Sequence, residues 1–286
     1  MFEKVNPSHP DKVADRIAGA IIDRANQLAE STQRQPRCAV EVLIGHGRTF
    51  ITMETTSSIT KEDILPIVGR IAGTQEVHCV IVPQDEHLSE NQQHGLRCGD
   101  NGIFKGTPIT GEQDALTHLA RLLYRQIPSD GKYLIDRGDI TICQSNAMEQ
   151  ELIDIIEESR FRYDSLTVNP LGYWKGGPDV DSGATNRKLG SDMGDGVTGG
   201  GLHGKDLSKA DVSVNIWCHL KAQQKQRPIH AICNIGDETV KTSLGPVPFT
   251  EMVRVAQEYI TSLGGYEKFA EWGLVRPFEI KEINNL

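Results

Sequence analysis

CAVEVLIGHGRTFITMETT, residues 38–56, alternates apolar and polar side chains on either side of a glycine-containing turn. Alternation of this kind reads as two strands paired in a hairpin. SSITKEDILPIVGRIAG, residues 57–73, follows and sets Ile64, Ile67 and Ile71 on one face of a capped helix. A hairpin succeeded by such a helix can bury one sheet face beneath it.

The same order recurs along the chain. KYLIDRGDITICQS (132–145) reads as a second hairpin and AMEQELIDIIEES (147–159) as its helix. DVSVNIWCHL (211–220) and PIHAICNIG (228–236) read as a third pair of strands, closed by the helix PFTEMVRVAQEYITSL (248–263). The expected fold class is therefore α+β, built from three pseudo-symmetric hairpin-plus-helix (ββα) units. Their mixed or antiparallel sheets would be covered by helices on one side. No low-complexity linker divides the chain, so residues 1–286 read as one body of three repeated units that linkers do not separate. Two further helices are expected. Residues 11–28 align Val13, Ile17, Ile21, Ala25 and Leu28, with Pro10 at the first helical position. Residues 112–126 align Leu116, Leu119, Leu122 and Leu123.

The chain is acidic, with a formal net charge of −9, and 24% of its 286 residues are charged. That balance disfavours a general nucleic-acid binder, so any anion site must be local. No stretch approaches the apolar length of a membrane span, and the N-terminus lacks the apolar run of a signal peptide. The six dispersed cysteines read as free thiols, and the expected location is cytoplasmic.

Five stretches carry chemistry. NPSHPDK places His9, Asp11 and Lys12 where a helix begins, which suits a phosphate and a Mg²⁺ ion. Taken alone it also reads as an ordinary capped helix start. RCGDNGIFKG surrounds Asp100 with glycines, and PSDGK sets Asp130 and Lys132 on one strand face. GGPDVDSGATNRK (176–188) holds Asp179, Asp181, Arg187 and Lys188 in a loop too rich in glycine for a continuous element. GGGLHGKDLSKAD (199–211) puts Lys205, Lys209 and Asp211 behind a glycine run. It is not a Walker loop, because Gly204-Lys205 is followed by Asp206. Two neighbouring lysines repel unless an anion lies between them, and a polyphosphate with Mg²⁺ satisfies both the lysines and the acid. Residues 83–100, polar and without period, follow the strand VHCVIV and read as an irregular loop and candidate lid.

HPDKVAD (9–15), GDNG (99–102), NP-G…GGP-x-x-D-x-G-x-T-x-RK (169–188) and GGG-x-x-GKD-x-SK-x-D (199–211), in this order, resemble the methionine adenosyltransferase (S-adenosylmethionine synthetase) family. The middle hairpin is shorter than is usual there, and Val197-Thr198 stands where Arg-His is common.

The resemblance implies synthesis of S-adenosylmethionine from ATP and L-methionine, with the tripolyphosphate hydrolysed to phosphate and diphosphate. It implies that His9 lies near the ribose and bridging oxygen, and that Asp130, Lys132, Arg187, Lys188 and Lys205 meet the triphosphate. Asp100 would face the nucleoside, and Tyr173 or Trp174 would stack on adenine. Glu54, Gln84, Asp181 and Lys209 would bind methionine. Asp11 and Asp211 would each hold a Mg²⁺ ion, and Glu41 would belong to a K⁺ site. Active sites would form between the subunits of a homodimer or larger assembly. A non-catalytic paralogue that binds nucleotide or stabilises a full-length synthetase, and a triphosphate hydrolase, are the alternatives.

Overall fold

The computed structural model describes residues 1–29, 35–91 and 95–276, without the side chains of Leu88 and Ser89. The hairpin expected over residues 38–56 is present as strands β2 (Cys38–Gly45) and β3 (Arg48–Thr55), antiparallel along their full length. Its two-residue turn puts both His46 (φ 52°) and Gly47 (φ 77°) in the left-handed region, whose twist suits paired strands. Helix α2 (Lys61–Ala72) opens with a Thr60–Asp63 capping box. The chain then returns as β4 (Glu76–Pro83), parallel to β3.

The second unit repeats this order. Strands β6 (Gly131–Asp136) and β7 (Asp139–Gln144) turn through Arg137 and Gly138, again with positive φ, before α5 (Glu149–Glu158) and the parallel strand β8 (Ser165–Val168). Edge strands come from far away in sequence. β1 (Phe2–Val5) joins β6, and β9 (Ser182–Ala184) joins β2. The result is two four-stranded mixed sheets, ordered β1-β6-β7-β8 and β4-β3-β2-β9.

The third sheet corrects the sequence reading. Residues 211–220 do not form a strand; they lie inside helix α7 (Ala210–Lys225). The partners of β10 (Ile229–Cys233) are β5 (Gly102–Gly106) and β11 (Thr239–Thr242), with β12 (Gly245–Pro248) beyond, all antiparallel. Every residue from Ala210 to Leu220 is buried, so over these three turns α7 shows no solvent face and no apolar stripe. The alternation of Val212, Val214 and Ile216 with polar residues then imitates a strand.

Helix α8 (Phe249–Leu263) is where it was expected, and α4 (Gly111–Gln126) and α1 (Pro10–Ala29) match the other two helices within a residue or two. α1 packs on β2 and β9, α4 on β1 and β6, and α7 on β5 and β10. Residues 83–100 are not wholly irregular. Glu86–Asn91 form a short helix, α3, and Cys98 is tied to Asp237 and Gly236 through the backbone. Residues 92–94 of the expected lid lie outside the described residues. All six cysteines are free thiols, and Cys98 and Cys233 are in contact at 2.9 Å. Among the described residues no helix is long and apolar enough to cross a membrane.

Candidate active site

The first turn of α1 meets strand β9 and the loop after it. Asp11 accepts the Ala184 N–H at 2.9 Å and the Lys188 ammonium at 2.7 Å, with Arg187 Nε 3.7 Å away. Gly183 makes this approach possible, because a Cβ there would strike the backbone of Pro10 and Asp11. Burial works against the Asp11 charge, yet Lys188 and the Ala184 N–H hold its pKa below the usual value. The Asp11 N–H donates to His9 Nδ1 at 3.2 Å, which leaves the His9 Nε2–H as a donor for a ligand. Burial and the facing Lys188 push His9 down to about 4, so its imidazole is neutral at pH 7.

Asp130 lies in the same place. It accepts the Gly177 N–H at 3.0 Å, and burial pushes its carboxyl up to about 6, with Asp181 and Asp11 facing it. A Cβ on Gly176 would meet both Asp130 and the Trp174 ring at 2.7 Å, which sets that ring beside the carboxylate. Lys132, on β6 opposite Val5, pairs with Glu3 at 2.8 Å and also acts on the His9 charge. His9, Asp11, Asp130, Lys132, Trp174, Asp181, Arg187 and Lys188 thus form one polar group drawn from four separate stretches.

A second group stands at the N-terminus of α7. Lys205 and Asp211 form an ion pair there, and Lys209 is the helix N-cap residue. Gly200 leaves room for the Asp211 carboxylate, which a Cβ would strike. The Asp100 loop belongs to this group, because the Gly99 N–H donates to the Ser208 carbonyl at 3.1 Å. Lys205 also bridges Ala39 on β2, which is paired with Glu54 on β3. Among the described residues no hydrogen bond or ion pair joins the Asp11 side chain to the Lys205–Asp211 pair.

Other sequence-selected residues fall elsewhere. Glu41 lies on the outer sheet face and accepts the Thr185 hydroxyl. Tyr173 is exposed. Gln84 lines a cavity of about 1160 Å³ with Leu28, Arg37, Thr56, Leu96 and Ser208. That cavity does not contain the lysine–carboxylate pairs, and the charged chemistry outweighs its size in locating the site.

The sequence reading missed a buried ion network beneath the first group. The Lys12 ammonium lies 3.0 Å from Asp15, 2.7 Å from Asp192 and 3.3 Å from His203 Nε2, all buried. Full burial opposes the charges, but Lys12 holds Asp192 well below the usual carboxylate range. Asp15, Asp192 and His203 are close enough to share a metal ion. The ammonium already occupies the centre of that set, so the donors fit Lys12 and not a metal. The signal in the sequence was Lys12 and Asp15, three apart on the apolar side of α1.

No protein-family model matches the chain. It is 25% identical to the S-adenosylmethionine synthase of Acholeplasma laidlawii over 287 residues, covering 78% of this chain and 73% of that protein. It is 25% identical to the enzyme of that name in Petrotoga mobilis over 283 residues, covering 74% and 70%. For the one in Salinibacter ruber the identity is 28% over 272 residues, covering 74% and 69%. With the ordered motifs now placed in two lysine–carboxylate groups, the chain is similar in sequence to S-adenosylmethionine synthases over about three quarters of its length.

Proposed function

We propose that this chain synthesises S-adenosylmethionine from ATP and L-methionine and hydrolyses the resulting tripolyphosphate. The observation that carries the reading is the pairing of Lys188 with Asp11 and of Lys205 with Asp211. In each pair the cation suits a polyphosphate, and the acid suits the metal that accompanies one. With Mg²⁺–triphosphate bound, the lysines would serve phosphate oxygens and the carboxylates would hold the ions. Mg²⁺ is held by one or two carboxylates plus phosphate oxygens, and one acid in each group fits that habit. Asp11 and Asp211 would hold the two ions, which neutralise charge on the leaving group. Glu41 with Thr185 would contribute to a K⁺ site.

The chemistry asks for no protein nucleophile. The methionine sulfur attacks the ribose C5′ carbon, the carbon–oxygen bond breaks and the triphosphate takes the electron pair. Lys132, Arg187, Lys188 and Lys205 stabilise that charge, with His9 donating through Nε2 and Asp130 binding beside the nucleotide. Trp174 or Tyr173 stacks on adenine, and Asp100 meets the nucleoside. Glu54, Gln84, Asp181 and Lys209 bind the amino and carboxylate groups of methionine and aim the sulfur.

The working form is a homodimer in which the Asp11 group of one copy faces the Lys205 group of the other. The sheet face bearing Glu41 and Glu54, which no described helix covers, supports this. The test is incubation with ATP, methionine, Mg²⁺ and K⁺, followed by mass detection of the sulfonium product and assay of phosphate and diphosphate. Nucleotide binding without that product would replace the enzyme with a non-catalytic paralogue.

A further inference from the structure

Asn186 occupies a position that the motif leaves open, the x before Arg187. Its backbone adopts φ 62°, a left-handed conformation that asparagine tolerates better than most residues. Its N–H donates to the buried Asp15 carboxylate at 2.8 Å. Its side chain reaches across to the glycine loop. Oδ1 accepts the N–H groups of Leu202 (2.8 Å) and His203 (2.9 Å), and Nδ2 donates to the His203 carbonyl at 3.1 Å.

Gly201 leaves the space for this contact, since a Cβ there would come within 2.9 Å of Asn186 Cγ. The His203 ring then meets Asp192 at 2.9 Å, so both ends of the clasp are anchored in the Lys12 network. One residue therefore joins the loop that presents Arg187 and Lys188 to the loop that presents Lys205.

We propose that Asn186 is a positioning residue that holds these two cationic loops in a fixed relation. It touches no ligand itself. It acts by keeping the donors of both groups preorganised, so that anion binding need not order them. The proposal rests on the reading of the two groups as triphosphate sites.

The test is calorimetric binding of inorganic tripolyphosphate with Mg²⁺ to the full chain, beside steady-state kinetics. Asn186→Gly keeps the left-handed backbone and deletes the clasp. Gly201→Ala keeps Asn186 but fills its space. Each should weaken tripolyphosphate binding about tenfold and lower kcat by a similar factor, as expected of displaced donors. The KM for methionine should stay within about twofold, because that substrate's contacts are not displaced. In the Asn186→Gly background, Gly201→Ala should add no further loss, because the Cβ then has room. Wild-type affinity in the single variants, or full additivity in the double variant, overturns the proposal. If Asn186→Gly does not fold, Gly201→Ala alone decides by the same affinity. A wild-type chain that fails to bind tripolyphosphate removes the functional reading as well; wild-type binding with unaffected variants removes only the positioning role.

Discussion

Lys205 separates a binding surface from a surface charge. Its side chain is four-fifths buried and pairs with Asp211 at the mouth of α7, where solvent gives little screening. A cation held there contributes most when charge grows on a leaving group. Lys205→Ala should therefore lower kcat by roughly 100-fold or more, the usual loss for one such donor, with an unchanged circular dichroism spectrum. Near-complete activity in that variant returns Lys205 to the ordinary surface. Asp181→Asn should raise the KM for methionine more than that for ATP, by removing a charged partner of the substrate ammonium. Because Asp181 faces Asp130 and His9, equal effects on both substrates would assign it to the electrostatics of the nucleotide side instead.

Exposed or half-buried charges such as these were legible in the sequence, because residue type and glycine spacing announce anion chemistry. The buried partners of Lys4 and Lys12 were not. Lys4 donates to the carbonyls of Ser191, Trp272 and Val275, contacts that no local pattern encodes.

At the scale of elements, legibility follows exposure. β2, β3, β6 and β7 each have one face under helices and one uncovered, so their alternation survives in the sequence. α7 is buried all round over its first three turns and lost its signature, and β9 is three residues of loop-like composition. The cost of misreading α7 was the setting of Asp211, which sits in the first turn of a central helix where its N–H groups converge.

The same burial gives α7 an acid sensitivity. Burial lowers His219 to about 4 from its ordinary value of 6.5. The unfolded chain then binds a proton that the folded chain refuses between those values. The contribution is complete above about pH 6.5 and is lost as pH falls toward 4, to a total of about 3 kcal/mol by linkage. Urea unfolding at pH 7 and pH 4.5 should show a larger acid loss in the wild type than in His219→Gln. Parallel losses in the two proteins would place the acid sensitivity elsewhere.

Among the described residues, one face of the β4-β3-β2-β9 sheet has no covering helix. Leu43, Phe50 and His78 form one cross-strand row there, Glu41, Thr52 and Val80 the next, and Ala39, Glu54 and Val82 a third. Leu43 is 49% exposed, Phe50 44% and Val80 58%. Clustered apolar exposure around two acids assigned to the site is what a self-association surface requires. Phe50→Glu points away from the core, so it should leave secondary structure intact while sedimentation shifts from dimer to monomer and activity falls.

Symmetry supplies a sharper test. In a two-fold dimer each chain lends its Asp11 group to one site and its Lys205 group to the other. Lys188→Ala and Lys205→Ala chains are each expected to be nearly inactive. Unfolded together and refolded as a mixture, half of the dimers should be mixed. Each mixed dimer gathers both lesions in one site and leaves the other site intact. Such a mixture should regain about a quarter of wild-type activity per chain, a recovery that two-fold sharing of residues alone produces. If each chain instead builds its site from its own two groups, every chain in the mixture carries a lesion and no activity returns. Sedimentation of the same sample distinguishes that outcome from a failure to form dimers.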